Sequence, residues 1–312
     1  MSAFESVQEC LAAGEECTVL KLNEPMKRFP YTNQLKQLKH VDRLIIRNIF
    51  REKPNPIPDR ICEIPNLERI IIENTKFTDL PSRKGLEKCD QLEILEIKGS
   101  KLDRIPKRIE VLENLQTLDL ERNRIDFISP SISELENLAH LNLSFNQIED
   151  LPSEFGSLNV IYLDLGYNTK LGKFPLEITQ LEKLKELSLE KTKLKSIPPE
   201  IENLTKLRTL NLNKNKIETI PPELGNLSIL DFLQLGDNSL KSLPPEMGNL
   251  ENLRFLDVSG NNLKNLPIEM EPLKDQSLET IKTRKNDARL QSDKVFRSFL
   301  WDPRIEVSTP RS

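Results

Sequence analysis

A repeated pattern of leucines runs through most of this chain and restricts the folds that it can adopt. The segments that start at Leu207, Leu230 and Leu253 follow the pattern L-x-x-L-x-L-x-x-N-x-L-x-x-L/I-P, with isoleucine or valine in place of some leucines. The first position of the pattern recurs every 22 to 26 residues, at Val41, Leu67, Leu92, Leu115, Leu138, Val160, Leu184, Leu207, Leu230, Leu253 and Leu278. With a degenerate copy at Cys17, about twelve units cover residues 17–287. A period of this length is typical of a solenoid, in which each unit stacks on the next.

The residues inside each unit predict its local structure. In L-x-x-L-x-L the last two leucines alternate with polar residues, which is the period of a short strand with one buried face. One unit cannot bury its leucines alone, but stacked units form a parallel sheet that covers them, which accounts for 51 leucines in 312 residues. The following asparagine, such as Asn215, predicts an inward amide bonded to turn backbone. The I/L-P-P-E segment, such as Ile197–Glu200, predicts the start of a short helical turn.

We therefore predict an α/β solenoid, a curved horseshoe with a parallel β-sheet on the concave face and short helices and turns on the convex face. The copies resemble leucine-rich repeats of the 23-residue intracellular type. Segment 244–250, PPEMGNL, is similar to copies in Ras-suppressor and Ras-scaffold leucine-rich repeat proteins and in plant intracellular Ras-group-related proteins. That resemblance implies a non-catalytic scaffold that binds a small GTPase, a phosphatase subunit or an adaptor in signal transduction. Similar copies in bacterial proteins imply an alternative, a secreted or surface microbial protein that binds a host ligand.

The two ends of the stack are predicted to carry helical caps, because a solenoid otherwise leaves apolar faces open. Residues 3–13 fit an amphipathic helix that ends at Gly14. Near the C-terminus, Ser292 is a candidate N-cap for a helix that ends near Asp302. Phe296, Phe299 and Trp301 also suit a partner-docking helix. The predicted domains are an N-terminal cap (1–16), the repeat domain (17–287), a C-terminal cap (288–303) and a frayed tail (304–312).

Other features exclude several classes of protein. No stretch approaches about 18 uninterrupted apolar residues, so we expect no membrane insertion. The N-terminus, MSAFESVQEC, lacks the basic start and apolar core of a secretory signal. A net charge of -4 gives no reason to expect a nucleic-acid partner. We therefore expect a cytoplasmic protein.

The sequence shows no recognisable catalytic chemistry. It has four cysteines, at Cys10, Cys17, Cys62 and Cys89. They are few and scattered, so we expect no disulfide framework. Cys17 and Cys89 fall at apolar repeat positions and are predicted to be core residues, whereas Cys62 is a candidate for exposure. Glycine-rich phosphate loops, HExxH and GxSxG are absent from the sequence, and we expect no enzyme, cofactor or metal site.

Function is therefore expected on the surface of the predicted sheet. Positions 3, 5 and 7 of each unit point outward there and are mostly polar, with aromatic exceptions. Exposed aromatic residues beside polar ones are typical binding anchors. An adjacent polar column offers acceptors for basic or backbone donors. The predicted partner-binding residues are Asp119, His140, Asn142, Phe145, Tyr162, Asp164, Tyr167, Phe232, Phe255 and Asp257.

Two alternatives stay open for this surface. Aromatic residues beside strands also pack along a sheet without binding anything. Closer to the N-terminus, Ile45, Ile71 and Ile94 face the same side, where they form either an apolar patch or, if the long repeats bend the sheet, part of the core.

Overall fold

The computed structural model of the protein describes residues 3–4, 6–22, 32–48 and 55–308. The chain divides into two compact units, Met1–Val160 and Ile161–Ser312. The division falls inside the predicted repeat domain, at the copy that starts at Val160. Each unit is described below by itself.

In the first unit each repeat adds one strand to a parallel sheet. The strands are β1 (Ala3–Phe4), β2 (Val19–Leu22), β3 (Arg43–Arg47), β4 (Arg69–Glu73), β5 (Ile94–Lys98), β6 (Arg104–Ile105), β7 (Thr117–Asp119), β8 (Phe127–Ile128) and β9 (His140–Asn142). The order across the main sheet is β1-β2-β3-β4-β5-β7-β9, with every pair parallel. β6 and β8 pair separately, also in parallel. Chain order is thus spatial order, as a stack of repeated paths requires.

The second unit continues the same construction with shorter strands. They are β10 (Tyr162–Asp164), β11 (Glu186–Ser188), β12 (Thr209–Asn211), β13 (Phe232–Gln234), β14 (Phe255–Asp257), β15 (Thr280–Lys282) and β16 (Glu306–Ser308). Each strand pairs in parallel with the next. The middle residues of consecutive strands, such as Leu187, Leu210 and Leu233, are register partners and at most 1% exposed. The parallel sheet of stacked repeats confirms the predicted fold class.

Short helices connect the strands on the other side of each repeat. The α-helices are α1 (Val7–Ala13), α2 (Thr32–Leu35), α3 (Arg83–Leu86), α4 (Leu273–Gln276) and α5 (Lys294–Leu300). The 3₁₀ helices are Gly14–Glu16, Asp59–Glu63, Lys107–Val111, Pro130–Glu134, Ser153–Ser157, Leu176–Gln180, Pro199–Asn203, Pro222–Asn226, Pro245–Asn249, Ile268–Met270 and Ala288–Ser292. Three of them begin at the second proline of a P-P-E segment, where a fixed φ and a missing N–H cost nothing. The predicted helical turn is therefore present.

The repeat asparagines bond the turn backbone as predicted. In the second unit, the Asn238 amide donates to the carbonyl oxygens of Leu212 (2.9 Å) and Leu235 (3.0 Å). Its Oδ1 accepts from the amide of Ile217 at 3.0 Å. Each side chain therefore links two consecutive turns and satisfies groups that water does not reach.

Close packing between consecutive 3₁₀ helices depends on two glycines. A Cβ on Gly225 would collide with the Glu246 carbonyl group, and one on Gly248 would collide with that of Glu269. Backbone atoms cannot move aside as a flexible side chain can. The glycines of P-P-E-x-G are thus required by helix-to-helix distance.

The N-terminal helix is shorter than predicted. It starts at Val7, where the Ser6 hydroxyl accepts from the amide of Glu9 at 3.2 Å, and Gly14 ends it with φ 59°. Residues 3–4 are in a strand instead, because Ala3 and Phe4 pair with Val19 and Leu20. The predicted stop at Gly14 is correct, and the predicted start at residue 3 is wrong.

The C-terminal end also differs in detail from the prediction. The N-cap of α5 is Asp293, whose Oδ1 accepts from the amide of Phe296 at 2.9 Å, and Ser292 instead ends a 3₁₀ helix. Phe296 and Phe299 are buried, which favours a cap over a docking helix, whereas Trp301 is 75% exposed. The tail predicted to be frayed forms β16 in part, because its backbone extends the sheet beyond β15.

All four cysteines form disulfides, contrary to the prediction. Cys10 pairs with Cys17 and Cys62 with Cys89, with Cα–Cα distances of 5.2 Å and 5.3 Å. Cys62 is 2% exposed, so its predicted exposure is wrong, whereas the predicted burial of Cys17 and Cys89 is correct. The two bridges tie the first turns of the first unit together.

Candidate functional site

The second unit presents a regular set of side chains on one face of its sheet. The first and third residues of β10 to β15 lie on this face, which we call the outer sheet face, while the middle residues are buried. The first residues form one column by register: Tyr162, Glu186, Thr209, Phe232, Phe255 and Thr280. The third residues form a second column: Asp164, Ser188, Asn211, Gln234, Asp257 and Lys282.

Phe232 and Phe255 form a stacked aromatic pair on this face. Their ring centroids lie 5.9 Å apart with an interplanar angle of 29°, and Phe232 is 39% exposed. The Nζ of Lys282 lies 4.8 Å from the Phe255 centroid. Threonines flank the pair in the same column, so two adjacent rings offer an apolar surface within a polar face.

A tyrosine and carboxylate cluster lies at the other end of the outer sheet face. The hydroxyl of Tyr162 is 3.5 Å from Oδ2 of Asp164, and the amide of Gly166 donates to Oδ1 at 2.7 Å. The hydroxyl of Tyr167 donates to Oε1 of Glu190 at 2.8 Å, and Lys214 donates to the same oxygen at 2.8 Å. The second unit thus brings together three predicted residues, Tyr162, Asp164 and Tyr167.

Asp164 is a half-buried carboxylate in an unfavourable environment. Burial raises the pKa of the Asp164 carboxyl above its usual value, and bonds from Gly166 and Ser188 only partly offset this. The negative charge of Glu190 acts in the same direction as burial. Removing a carboxylate from water without a basic partner disfavours its charged form.

Asp164→Asn is expected to raise the free energy of unfolding near neutral pH. Since the folded-state pKa is raised, the acid form stabilises the fold below the unfolded pKa, and this contribution is lost as pH rises through the folded pKa. The advantage of the variant should therefore shrink between about pH 7 and about pH 3. Denaturant unfolding of both proteins at the two pH values measures it. A variant less stable than the parent at neutral pH would contradict the assignment.

Tyr167 lies beyond the strand and not on it. It follows β10 by three residues and has φ 63°, in the left-handed region. Phe145 occupies the equivalent place in the first unit with φ 56°. Bulky residues rarely adopt this conformation. The equivalent place in other repeats also has positive φ, for example at Arg122, Lys191 and Lys214, so the conformation belongs to the repeat turn and does not mark a binding site.

Tyr167→Asn should be more stable than Tyr167→Ala by about 0.5–1 kcal/mol. Both variants lose the ring and its hydroxyl, but asparagine tolerates positive φ better than alanine does. Thermal unfolding of the matched pair isolates the backbone contribution. Equal stability of the two variants would show that φ at Tyr167 carries no strain.

Asp257 is mainly a structural acceptor in the second unit. Its Oδ1 accepts from the amide of Ser259 at 2.9 Å and from the Ser259 hydroxyl at 2.6 Å. Its neighbour in the column is Lys282. These bonds fix the turn after β14 and leave Oδ2 on the outer sheet face without a hydrogen bond among the described residues.

The remaining predicted residues belong to the first unit. Asp119 pairs with Lys98 at 3.0 Å, and the Asn142 Oδ1 accepts from the Ser144 amide at 3.0 Å. His140 is an exposed residue of β9. Phe145 is half-buried, with the Arg122 guanidinium carbon 4.9 Å from its ring centroid. Phe145 therefore belongs to the first unit, and Tyr162 and Tyr167 belong to the second.

The isoleucines near the N-terminus were expected to form either an apolar patch or part of the core, and the structure decides between these in part. Ile45 is 7% exposed and belongs to the core, whereas Ile71 and Ile94 are half-buried. Strands β3 to β5 have five residues each, longer than β10 to β15, which have three. Of these three described residues, Ile45 therefore contributes to the core, and only Ile71 and Ile94 remain partly exposed.

Sequence reasoning missed two kinds of residue. Basic side chains cover several of the rings, among them Lys191, whose Nζ lies 5.1 Å from the Tyr167 centroid. Phe127, at 53% exposed, is more exposed than any of the predicted anchors, and no repeat position indicated it. Trp301, which the sequence suggested only as part of a docking helix, is 75% exposed, and both residues lie off the outer sheet face.

Metal and membrane sites receive no support from the described residues. Within the described ranges, no group of three or more histidine, cysteine, aspartate or glutamate residues is arranged to hold a metal ion. None of the described helices is both long enough and apolar enough to cross a membrane.

Comparison with known proteins agrees with this architecture. The family model described as "Leucine rich repeat" matches residues 90–148, 113–171 and 205–263, and "Leucine Rich repeats (2 copies)" matches residues 182–226. Together these matches cover more than half of the chain. No curated protein sequence matches the chain significantly.

Solved structures share the fold at low sequence identity. A leucine-rich repeat protein of Leptospira interrogans is 24% identical, with a TM-score of 0.64 over 99% of this chain and 100% of that one. An internalin of Listeria monocytogenes is 18% identical, with a TM-score of 0.66 over 97% and 89%. A plant peptide hormone receptor is 23% identical, with a TM-score of 0.55 over 87% of this chain and 55% of the receptor. Stacked parallel strands, buried asparagines and family matches agree, and the chain belongs to the leucine-rich repeat family.

Proposed function

We propose that this chain is a non-catalytic protein-binding module whose partner docks on the outer sheet face of the second unit. Leucine-rich repeat proteins generally mediate protein–protein interactions. The observation that carries the proposal is the stacked Phe232–Phe255 pair, with Phe232 39% exposed on a regular, otherwise polar sheet. Two adjacent, partly exposed rings are costly to leave in water and match the aromatic anchors of protein interfaces.

The family resemblance supports a scaffold role in signalling. It favours a small GTPase, a phosphatase subunit or an adaptor as the class of partner, and a cytoplasmic location. Phe232, Phe255 and Tyr162 are the anchors that we assign to this contact. Asp164 and Asp257 are the polar residues beside them.

A second candidate, an exported microbial protein that binds a host ligand, is favoured by the two disulfides. Disulfides persist in oxidising compartments and are rare in the cytosol. Alkylation of free thiols in the native cells, without reductant, distinguishes an exported protein from a cytoplasmic one. Unmodified Cys10, Cys17, Cys62 and Cys89 support export, whereas modification of all four supports the cytoplasmic scaffold.

Tyr162→Ala combined with Phe232→Ala is expected to weaken partner capture by at least about 30-fold, because the loss of even one anchor costs about 2 kcal/mol or more. The melting temperature should change little, since neither side chain is fully buried. Affinity capture from a lysate of the source cells, followed by mass spectrometry, identifies the partner and measures the loss.

The matched control replaces two exposed aromatics elsewhere, Phe127→Ala with Trp301→Ala. Capture should persist in this control. Unchanged capture by the sheet variant, or loss in the control alone, would place the partner on another surface.

A further inference from the structure

Asp164 holds a half-buried carboxylate on the outer sheet face. Some carboxylates of the two units have basic partners: Glu190 pairs with Lys214 at 2.8 Å and, in the first unit, Asp119 with Lys98 at 3.0 Å. Among the described residues, no lysine, arginine or histidine forms an ion pair with Asp164. Its neighbours are a tyrosine hydroxyl, a serine hydroxyl, one backbone amide and the negative Glu190. Asp164 itself therefore lacks the positive partner that Glu190 has in Lys214.

Two tyrosines of the same repeat, one of them within reach of the carboxylate, suit the same kind of group. Tyr162 reaches Oδ2 of Asp164, and Tyr167 extends to Glu190 on the adjacent repeat. Lys191 already holds its ammonium 5.1 Å from the Tyr167 ring centroid. Aromatic faces attract cations, so a surface cluster of one carboxylate and two tyrosines fits a guanidinium or an ammonium group.

The register of the strands fixes the distance between this cluster and the Phe232–Phe255 pair. Phe232 is three strands from Tyr162 in the same column, and Phe255 is four. At about 4.8 Å per strand these separations are about 14 Å and 19 Å. An extended peptide advances about 3.4 Å per residue, so about four to six residues span them.

The residues between the two ends can bond a peptide backbone. Ser188, Asn211 and Gln234 follow Asp164 in the second column, and all three are half-buried. Hydroxyl and amide groups both donate and accept hydrogen bonds. An extended chain that crosses the strands would therefore meet suitable partners along its length.

We propose that the outer sheet face of the second unit binds an extended peptide segment that carries two anchors. An arginine or lysine side chain contacts the surface cluster of Tyr162, Asp164 and Tyr167. An apolar side chain four to six residues away packs on Phe232 and Phe255. This inference rests on the proposed function and names the chemistry of its partner.

Basic side chains on the same face determine how strongly the protein's own charges compete with the basic group of the peptide. Lys214 is engaged by Glu190, and Lys282 lies over Phe255 rather than beside Asp164. Lys191 is exposed and shares the Tyr167 ring with the incoming group. Lys191→Gln should therefore tighten binding of a basic peptide by about two- to fivefold, since it removes a like charge at the surface.

The test selects peptides from a random library on the intact chain and measures their affinities by fluorescence anisotropy. Selected peptides should carry arginine or lysine four to six residues from an apolar residue. Asp164→Asn should weaken their binding about 10- to 100-fold, as loss of a charge-assisted bond implies. A peptide with glutamine in place of its basic residue should lose affinity for the parent and show little further loss for the variant. Asp150→Asn, an exposed site in the first unit, is the control.

The outcomes separate this inference from the proposed function. If selected peptides depend on Phe232 but are indifferent to Asp164→Asn, the basic anchor is wrong while the binding face stands. If they are indifferent to both substitutions, both proposals are wrong. A library that yields no binding peptides, or only acidic ones, also overturns the proposal of a peptide with two anchors. Thermal unfolding of Asp164→Asn accompanies each measurement, so loss of binding is not confused with loss of fold.

Discussion

Leu210→Ala should lower the free energy of unfolding by about 2–5 kcal/mol. Leu210 is the middle residue of β12 and is 0% exposed. Its register partners, Leu187 and Leu233, belong to the repeats on either side. Truncation removes buried methyl groups and leaves a cavity that three stacked repeats share, because parallel neighbours cannot collapse into it without breaking their own ladders.

Thr209→Ala on the same strand is the control for this effect. Thr209 is half-buried on the outer sheet face, so its substitution should change stability by about 0.5 kcal/mol or little more. Denaturant unfolding of the two variants compares the two faces of one strand. A loss below about 1 kcal/mol for Leu210→Ala would contradict the role of this column as the core of the second unit.

Removal of the Cys62–Cys89 disulfide should have an effect of similar size. The bridge closes a loop with a sequence separation of 27, which corresponds to about 3.5 kcal/mol of unfolded-state entropy. The Cys10–Cys17 bridge spans only 7 and corresponds to about 2.4 kcal/mol. The paired variants Cys62→Ala/Cys89→Ala and Cys10→Ala/Cys17→Ala should therefore rank in that order, measured by denaturant unfolding without reductant.

Reductant provides the control for the disulfide prediction. Dithiothreitol should destabilise the parent by roughly both contributions and each paired variant by only the remaining one. If the unfolding midpoint of the parent is the same with and without reductant, neither pair of cysteines forms a stabilising bridge.

The repeat period was sufficient to predict the fold because each repeat position has one physical task. Leu210 alternates with polar neighbours and is buried in the sheet, and Asn238 bonds the turns on either side of it. Both assignments need only local pattern and the requirement that stacked units cover each other. The strand at Glu306–Ser308 was missed because it has no leucines and pairs through backbone alone.

The disulfides and the strained aromatic positions required information outside that pattern. Cys62 lies in the 3₁₀ helix Asp59–Glu63, in a long repeat whose phase is irregular, so its alignment with Cys89 in the next repeat was not evident. The separation of 27, close to one repeat, was the available signal. Tyr167 and Phe145 occupy a turn position with positive φ, which the strand pattern does not encode.

Site-specific photo-crosslinking tests the central claim most directly. A benzophenone amino acid replaces Phe232 in one protein and Phe127, an exposed aromatic of the first unit, in the other. After irradiation in a lysate of the source cells, position 232 should crosslink to a defined protein partner, and position 127 should not. Crosslinking from position 127 with none from position 232 would contradict the assignment of the outer sheet face as the binding surface.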